Sequence, residues 1–370
     1  MNLLFLSIDQ NLVNAESAVS KRVRHYGELA EKVDVILVGS SLVKQISLSA
    51  NVTIHTVGGS SKPVQFFRSL RLSRSLVVPD TIISVQDPFE MGVWGLIASW
   101  LFNCRLQVQV HIDFFSPYFR RESMHQRFQA WLAPFVLRRA SSIRVVSQKI
   151  ATYLRDSLGI ASSKIVIAPI FVDVAEMRNK PLTTDLHAKY PQFDWIVLVA
   201  CRYVKQKNIP LAIEAFELFR KKHPKSGLII AGSGPEGMKI KGSVVKLGLN
   251  DSVIVGSWTG EFTSLMRTSD VFLMPSDYEG WGMTVIEAAS LGRPIVMTDV
   301  GCANEFLINE KSGLIVGTRD VESMTSALER LYENRAFATN LGLEAKRWAD
   351  IYMTPKESDE LMLELWKRAL

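Results

Sequence analysis

Between Met274 and Ala289 the chain sets two carboxylates, Glu279 and Glu287, eight positions apart around the run Gly280-Trp281-Gly282. The run leaves an apolar stretch, Val271–Met274, crosses a loop with two glycines and enters a segment with helical spacing. Glycines at a helix start let backbone N–H groups approach an anion, and the helix dipole favours a phosphate there. One helical turn cannot bring residues eight apart side by side. The two carboxylates are therefore expected at opposite ends of a ligand draped over the loop, accepting from sugar hydroxyls. A phosphate site also needs cations. Arg202 and Lys207 follow the apolar run Trp195–Ala200, and in a parallel sheet they emerge on the same side as the glycine loop. Arg offers a planar fork and Lys a point charge, which together suit a departing diphosphate.

A second glycine pattern, Gly232-Ser233-Gly234-Pro235-Glu236-Gly237, directly follows the run Leu228–Ala231 and has dinucleotide-binding spacing. That fingerprint needs an acidic residue at the end of the next strand, about 20 positions on. Asp251 has the right count but precedes the strand Val253–Val255. The pattern therefore reads as a tight strand-to-helix turn, or as a loop passing close to phosphate or sugar. In the first half, His111 ends the run Leu106–Val110, with Asp113 two residues on. Most isolated histidines are structural, but a strand-end position points this one toward a site.

These residues need a scaffold. Apolar runs alternate with amphipathic stretches along both halves, separated by a polar, Pro- and Thr-containing stretch at 177–193. The pattern predicts two α/β domains, each with a doubly wound parallel sheet. The expected boundaries are 1–176, a linker at 177–193, a second domain at 194–350, and a terminal helix at 351–370 packing back toward the first domain. Between two such domains, ligands are expected in the cleft.

With 370 residues, 47% of them from the apolar set and 22% charged, the chain is neither disordered nor of low complexity. Three scattered cysteines make no disulfide framework or metal cluster and fit a reducing compartment. The start of the chain lacks the basic residues of a secretory signal. The longest apolar stretch, Val93–Phe102, is about half the ~20 residues of a membrane span. A cytoplasmic protein, free or peripheral on the inner face of the membrane, is expected. The formal charge of +6 is uneven: residues 1–180 carry 21 basic and 13 acidic side chains, whereas residues 181–370 carry 22 and 24. The excess peaks around Arg68, Arg71 and Arg74 and between Arg120 and Arg139, among bulky apolar residues. A basic amphipathic surface suits an anionic membrane, a solvated helix face being the plain alternative. No nucleic-acid-binding motif accompanies the charge.

Residues 164–350 resemble the nucleotide-sugar domain of the retaining glycosyltransferases of family 4, which have the GT-B fold. Pro275-Ser276, then Glu279 and Glu287 enclosing Gly280-Trp281-Gly282, match that family's EX7E motif. Asp299-Val300-Gly301 and Glu305 follow in register. The resemblance implies that Glu279 approaches the transferred sugar and Glu287 the ribose. It implies that the backbone at Gly282, Met283 and Thr284 meets phosphate or sugar, that Gly280 and Trp281 belong to the same donor site, and that Arg202 and Lys207 hold the diphosphate. It further implies that Gly232 and Gly234 form the family's glycine turn, that His111 sits near the reacting sugar, and that neither metal nor cofactor is needed. The acceptor would be a glycan or lipid-linked glycan. The family's glycine-rich loop after the first strand is replaced here by Ser7-Ile8-Asp9-Gln10-Asn11-Leu12. A nucleotide-sugar epimerase, a phosphorylase and a non-catalytic scaffold are the competing readings. The donor base, the sugar and the acceptor linkage stay open.

Overall fold

In a computed structural model, which describes residues 1–40, 44–257 and 261–370, the chain divides into two compact units. The first unit takes residues 1–115, 123–169 and 355–370, and the second takes 116–122 and 170–354.

The first unit is built on eight strands. They are β1 (Asn2–Ser7), β2 (Lys32–Val38), β3 (Gln45–Ser49), β4 (Val52–Val57), β5 (Thr81–Val85), β6 (Arg105–Val110), β7 (Ser142–Val145) and β8 (Ile165–Ile167). Their order is β3-β4-β2-β1-β5-β6-β7-β8, and every pairing is parallel except β3 with β4. Central strands such as Leu3–Leu6 and Ile82–Val85 are buried on both faces, as a sheet covered by helices requires. The edge pair β3–β4 lies in a stretch that reads as merely polar, because its outward positions carry Ser47, Thr53 and His55. His55 bonds the buried Asp34 of the neighbouring strand at 2.8 Å.

The terminal helix Pro355–Lys367 belongs to this unit. It buries Met362, Leu365 and Trp366 in the core beside Val23, Val166 and Ala168, and the Trp366 ring meets Tyr26 edge-on at 5.4 Å. Arg368 donates to the carbonyl of Ile165 at 2.9 Å, fixing the end of the chain to β8.

The second unit has six strands: β9 (Trp195–Ala200), β10 (Ser226–Ala231), β11 (Val253–Gly256), β12 (Val271–Met274), β13 (Ile295–Thr298) and β14 (Leu314–Val316). All are parallel, in the order β11-β10-β9-β12-β13-β14. The winding reverses between β9 and β12, and ligands bind outside the carboxyl ends of the strands at such a reversal. The residues after β9 include Arg202 and Lys207, and those after β12 lead to Glu279.

The stretch 177–193, expected as a linker, is part of this unit's packing. It carries the end of helix Val174–Asn179 and the whole of Leu186–Lys189, and both Met177 and Leu186 are buried. Its polar residues serve as fasteners: Thr183 N–H donates to Ser264 Oγ at 3.0 Å, and Leu186 N–H to Thr268 Oγ1 at 3.1 Å. A polar composition marked the break in periodicity but not the folded state.

Candidate active site

Glu279 lies five residues beyond β12 and is only 7% exposed. Burying a lone carboxylate would be prohibitive, and here both of its oxygens have partners. Lys207 forms an ion pair with Oε1, and Ser276 Oγ donates to the same oxygen at 2.7 Å. Gln206 Nε2 lies 3.3 Å from Oε2 and also donates to the carbonyl of Tyr278 at 2.9 Å. Lys207 closes the turn Lys205–Lys207, after which Asn208 adopts φ +40° and the chain enters helix Ile209–Lys222. The loops at the two sides of the sheet reversal are thus joined through charge and hydrogen bonds. The sequence pointed to Lys207 and Glu279; it did not point to Ser276 or Gln206 as the groups that hold them.

Asp277 turns the other way. Arg319 grips it in a two-pronged pair at 3.0 and 2.7 Å, and Asn208 Nδ2 adds a bond of 2.8 Å. The Arg319 guanidinium also sits 4.4 Å over the Tyr118 ring. Tyr278 donates its hydroxyl to Glu122, and its ring meets Phe119 edge-on at 5.6 Å. Residues 116–122 are thereby bound to the loop that carries Glu279, and Tyr118, Arg121 and Glu122, with Asp277, Tyr278 and Arg319, line a cavity of about 530 Å³. Nothing in the spacing of Tyr118, Glu122 and Arg319 signals this.

Beyond Glu279, Gly280 and Trp281 are buried, and Gly282 begins helix Met283–Ser290. The N–H groups of Met283 and Thr284, in the first turn, have no intrahelical acceptor and are available to an anion. Met283 is exposed and Thr284 half-buried. Glu287 stands on the same helix, half-buried. Burial pushes its carboxyl above the ordinary range, against the opposing pull of Lys180. The loop is pinned from behind by Gly301 (φ +58°), where an added Cβ would lie 2.3 Å from the carbonyl oxygen of Trp281. Cys302 N–H donates to that oxygen at 2.7 Å.

Arg202 is exposed and has no ion-pair partner among the described residues. Its loop is fixed by its neighbours. Tyr203 N–H donates to the Ser233 carbonyl at 2.7 Å, and a Cβ on Gly232 would lie 1.9 Å from the Cys201 carbonyl oxygen. Gly234, at φ +149°, passes over Tyr203, where an added Cβ would lie 2.5 Å from the carbonyl oxygen. The Gly232–Gly237 pattern is therefore explained by two loops whose backbones touch. Burial and Glu279 push the adjacent Cys201 thiol up to about 12, so it stays protonated.

His111 stands in the other unit, just past β6. Arg144 Nη1 donates to Gln109 Oε1 at 3.1 Å, and His111 Nε2 lies 3.0 Å from the same oxygen. A guanidinium only donates, so that amide atom is the carbonyl oxygen, and His111 Nε2 must carry a proton. Nδ1 is left with its lone pair. Burial, with the charges of Arg144 and Arg22, pushes the imidazole down to about 3. The ring is neutral near pH 7. Asp113, two residues on, is buried. Arg144 and Gln109 went unrecognised in the sequence, where they read as ordinary strand residues.

Among the described residues, no three His, Cys, Asp or Glu side chains gather as a metal site would.

Residues 186–348 match the family described as glycosyl transferases group 1, and residues 24–170 match the glycosyl transferase 4-like domain. An exopolysaccharide phosphotransferase of Streptomyces coelicolor is 27% identical over 64% of this chain and 25% of its own length. The lipopolysaccharide core biosynthesis mannosyltransferase LpsB of Rhizobium meliloti is 31% identical over 39% of this chain and 44% of its own. The chain thus aligns with less than half the length of these curated relatives. Among solved structures, HepE of Anabaena, in complex with UDP, is 18% identical, with a TM-score of 0.75 over 98% of both chains. With both halves matched and the two parallel-sheet domains of the GT-B fold in place, the chain belongs to the GT4-type glycosyltransferases.

Proposed function

We propose that the chain transfers a hexosyl group from a nucleotide-diphosphate sugar to an acceptor hydroxyl, with retention at the anomeric carbon. The observation that carries this reading is the buried Lys207–Glu279 pair, set where the winding of the second sheet reverses and next to the helix start at Gly282. In this reading Arg202, Lys207 and the N–H groups of Met283 and Thr284 receive the diphosphate, so charge is met by cations and backbone dipoles without a metal or cofactor. Glu279 faces the sugar, and Glu287 accepts from the ribose hydroxyls. Gly280, Trp281 and Gly282 shape the loop, while Gly232 and Gly234 act by fixing the Arg202 loop. His111, neutral and with Nδ1 available, accepts from a sugar hydroxyl, with Asp113 nearby.

The bond between the anomeric carbon and the diphosphate oxygen breaks, and the acceptor oxygen bonds to the same face of that carbon. The acceptor proton passes to the departing phosphate, which leaves as a nucleoside diphosphate. Closure around the reactants limits hydrolysis.

Names of relatives support the substrate class. They include a mannosyltransferase of lipopolysaccharide core biosynthesis, GDP-mannose-dependent phosphatidylinositol mannoside mannosyltransferases and a UDP-Gal galactosyltransferase acting on a diphosphoundecaprenol. The acceptor is accordingly a lipid-linked or polysaccharide glycan, met at the inner face of an anionic membrane that the basic first unit approaches. No described helix is long and apolar enough to cross a membrane.

The test is a panel of UDP- and GDP-sugars, scored first by protection against thermal unfolding and then by nucleoside diphosphate release on lipid-linked acceptors. Protection grows with donor concentration over its Kd. Protection by at least one donor, with acceptor-dependent release and an α-linked product from an α-linked donor, is the expected result. Binding without turnover on any acceptor would favour a scaffold, and transfer of a phosphoryl-sugar unit would place the chain with its phosphotransferase relative.

A further inference from the structure

Helix Met124–Arg139 has an unusual distribution of side chains. Its inward face carries mostly small or branched residues, with Ala130, Ala133, Val136 and Leu137 buried. Its large apolar residues point outward: Met124 is 75% exposed, Phe128 55%, Trp131 72% and Phe135 44%. At about 100° per residue these four positions fall within an arc of roughly 60°, a narrow stripe running about 17 Å along the helix. A soluble surface helix places its bulky apolar residues on the core side. This one is apolar on both sides.

Charge on the outward face has one sign. Arg127 and Arg138 border the stripe on one flank and Arg139 on the other, all exposed, and the helix contains no Asp or Glu. The Arg139 guanidinium lies 3.8 Å over the Phe135 ring, so the cation is held at the edge of the stripe rather than out in solvent. Phe128 and Trp131 pack ring to ring at 5.7 Å, a preformed aromatic ridge. Helix Lys62–Leu76, which packs on helix Glu90–Phe102 as Met124–Arg139 does, adds exposed Arg68, Arg71 and Arg74 with Phe67 at 66% exposure, and Glu90 is already paired with Lys62.

A ridge of Trp and Phe bordered by arginines matches the boundary between lipid headgroups and acyl chains. There aromatic rings reach the acyl edge and cations are drawn to the anionic headgroups. We propose that helix Met124–Arg139 docks on an anionic bilayer by inserting Met124, Phe128, Trp131 and Phe135 into the interface, with Arg127, Arg138 and Arg139 on the headgroups. This rests on the membrane-surface part of the proposed function and locates it on one helix.

The experiment is flotation of the full chain with phosphatidylglycerol–phosphatidylcholine vesicles, with no donor present. Wild type is expected to bind, and more weakly with phosphatidylcholine alone. The double variant Phe128→Ser, Trp131→Ser should lose at least tenfold in partitioning with its melting temperature unchanged, since both side chains are already in water. Trp131→Phe should retain binding but lose fluorescence quenching by bromine-labelled lipid. Unchanged partitioning of the double variant would overturn the proposal. So would vesicle-independent self-association that the same variant abolishes, which would make the stripe an interface between copies of the chain. Donor protection against unfolding is read separately. If protection holds while flotation fails, only the docking falls; if flotation holds without protection by any donor, the transfer reading falls instead.

Discussion

Glu279 is held by Lys207 in an ion pair that is almost entirely out of water, and Ser276 Oγ donates 2.7 Å to the same carboxylate oxygen. The pair ties the loop after β9 to the loop after β12, so the groups proposed to meet the donor also support each other. Removing one partner of a buried pair leaves the other charge stranded, which typically costs ~3–5 kcal/mol.

Glu279→Ala is therefore expected to lose transfer and also to melt at a clearly lower temperature. Stability falls with activity because Lys207, largely buried, is left without its counter-charge. Glu279→Gln keeps bonds to Ser276 and Gln206 and should retain more stability while still losing transfer. Denaturant unfolding alongside turnover separates the two. Near-normal turnover in Glu279→Gln would remove Glu279 from the reaction.

Arg202 gives the opposite pattern. It is exposed and unpaired among the described residues, so Arg202→Ala should leave the melting temperature within the small range typical of surface changes. Donor protection should fall at least tenfold, and Arg202→Lys should recover only part of it because the planar fork is lost. Isothermal titration with the nucleoside diphosphate alone measures this, and undiminished affinity would contradict the assignment.

Gly301→Ala should act at a distance on the donor loop. Its Cβ would press on the carbonyl oxygen of Trp281, and φ +58° is itself unfavourable for Ala. The expected outcome is a destabilisation of ~1–3 kcal/mol and a raised donor KM. A variant with wild-type stability and KM would show that the loop does not depend on this approach.

The pH dependence of folding should carry a signature of His111. Its folded pKa, about 3, lies below the ordinary value of 6.5. Between these values the unfolded chain binds a proton that the folded chain does not, so stability declines as pH falls from 6.5 toward 3. Above 6.5 the contribution is fully present. His111→Gln should flatten that part of the stability profile, and Arg144→Met should raise the imidazole pKa, as read from ring-proton shifts in NMR. An imidazole titrating near 6.5 in the wild type would overturn this reading.

Much of this was legible in advance. The strands Thr81–Val85, Trp195–Ala200 and Val271–Met274 stand where their apolar runs place them, because a strand buried on both faces leaves a continuous signal. The edge pair β3–β4 was hidden because an exposed edge needs little apolar residue. The positions of Arg202, Lys207, Glu279 and Glu287 follow from strand ends and glycines. Their supports do not: Ser276, Gln206 and Arg319 become partners only through the sheet reversal and through turns at Asn208 and Gly301. Likewise Gln109 and Arg144 have no local pattern, since what matters about them is which atom faces which across neighbouring strands.

Residues 116–122 and 355–370 each fold with the unit that does not adjoin them in sequence, so neither unit is a contiguous stretch of polypeptide. A fragment ending near residue 350 would leave Tyr26 and Val166 without Trp366 and Leu365 over them, and a fragment beginning at 170 would lack the Tyr118 and Glu122 that brace Arg319 and Tyr278. Modular recombination of such a protein, in the laboratory or in evolution, needs four coordinated junctions instead of one, and single-crossover chimaeras should be recovered mostly as insoluble material.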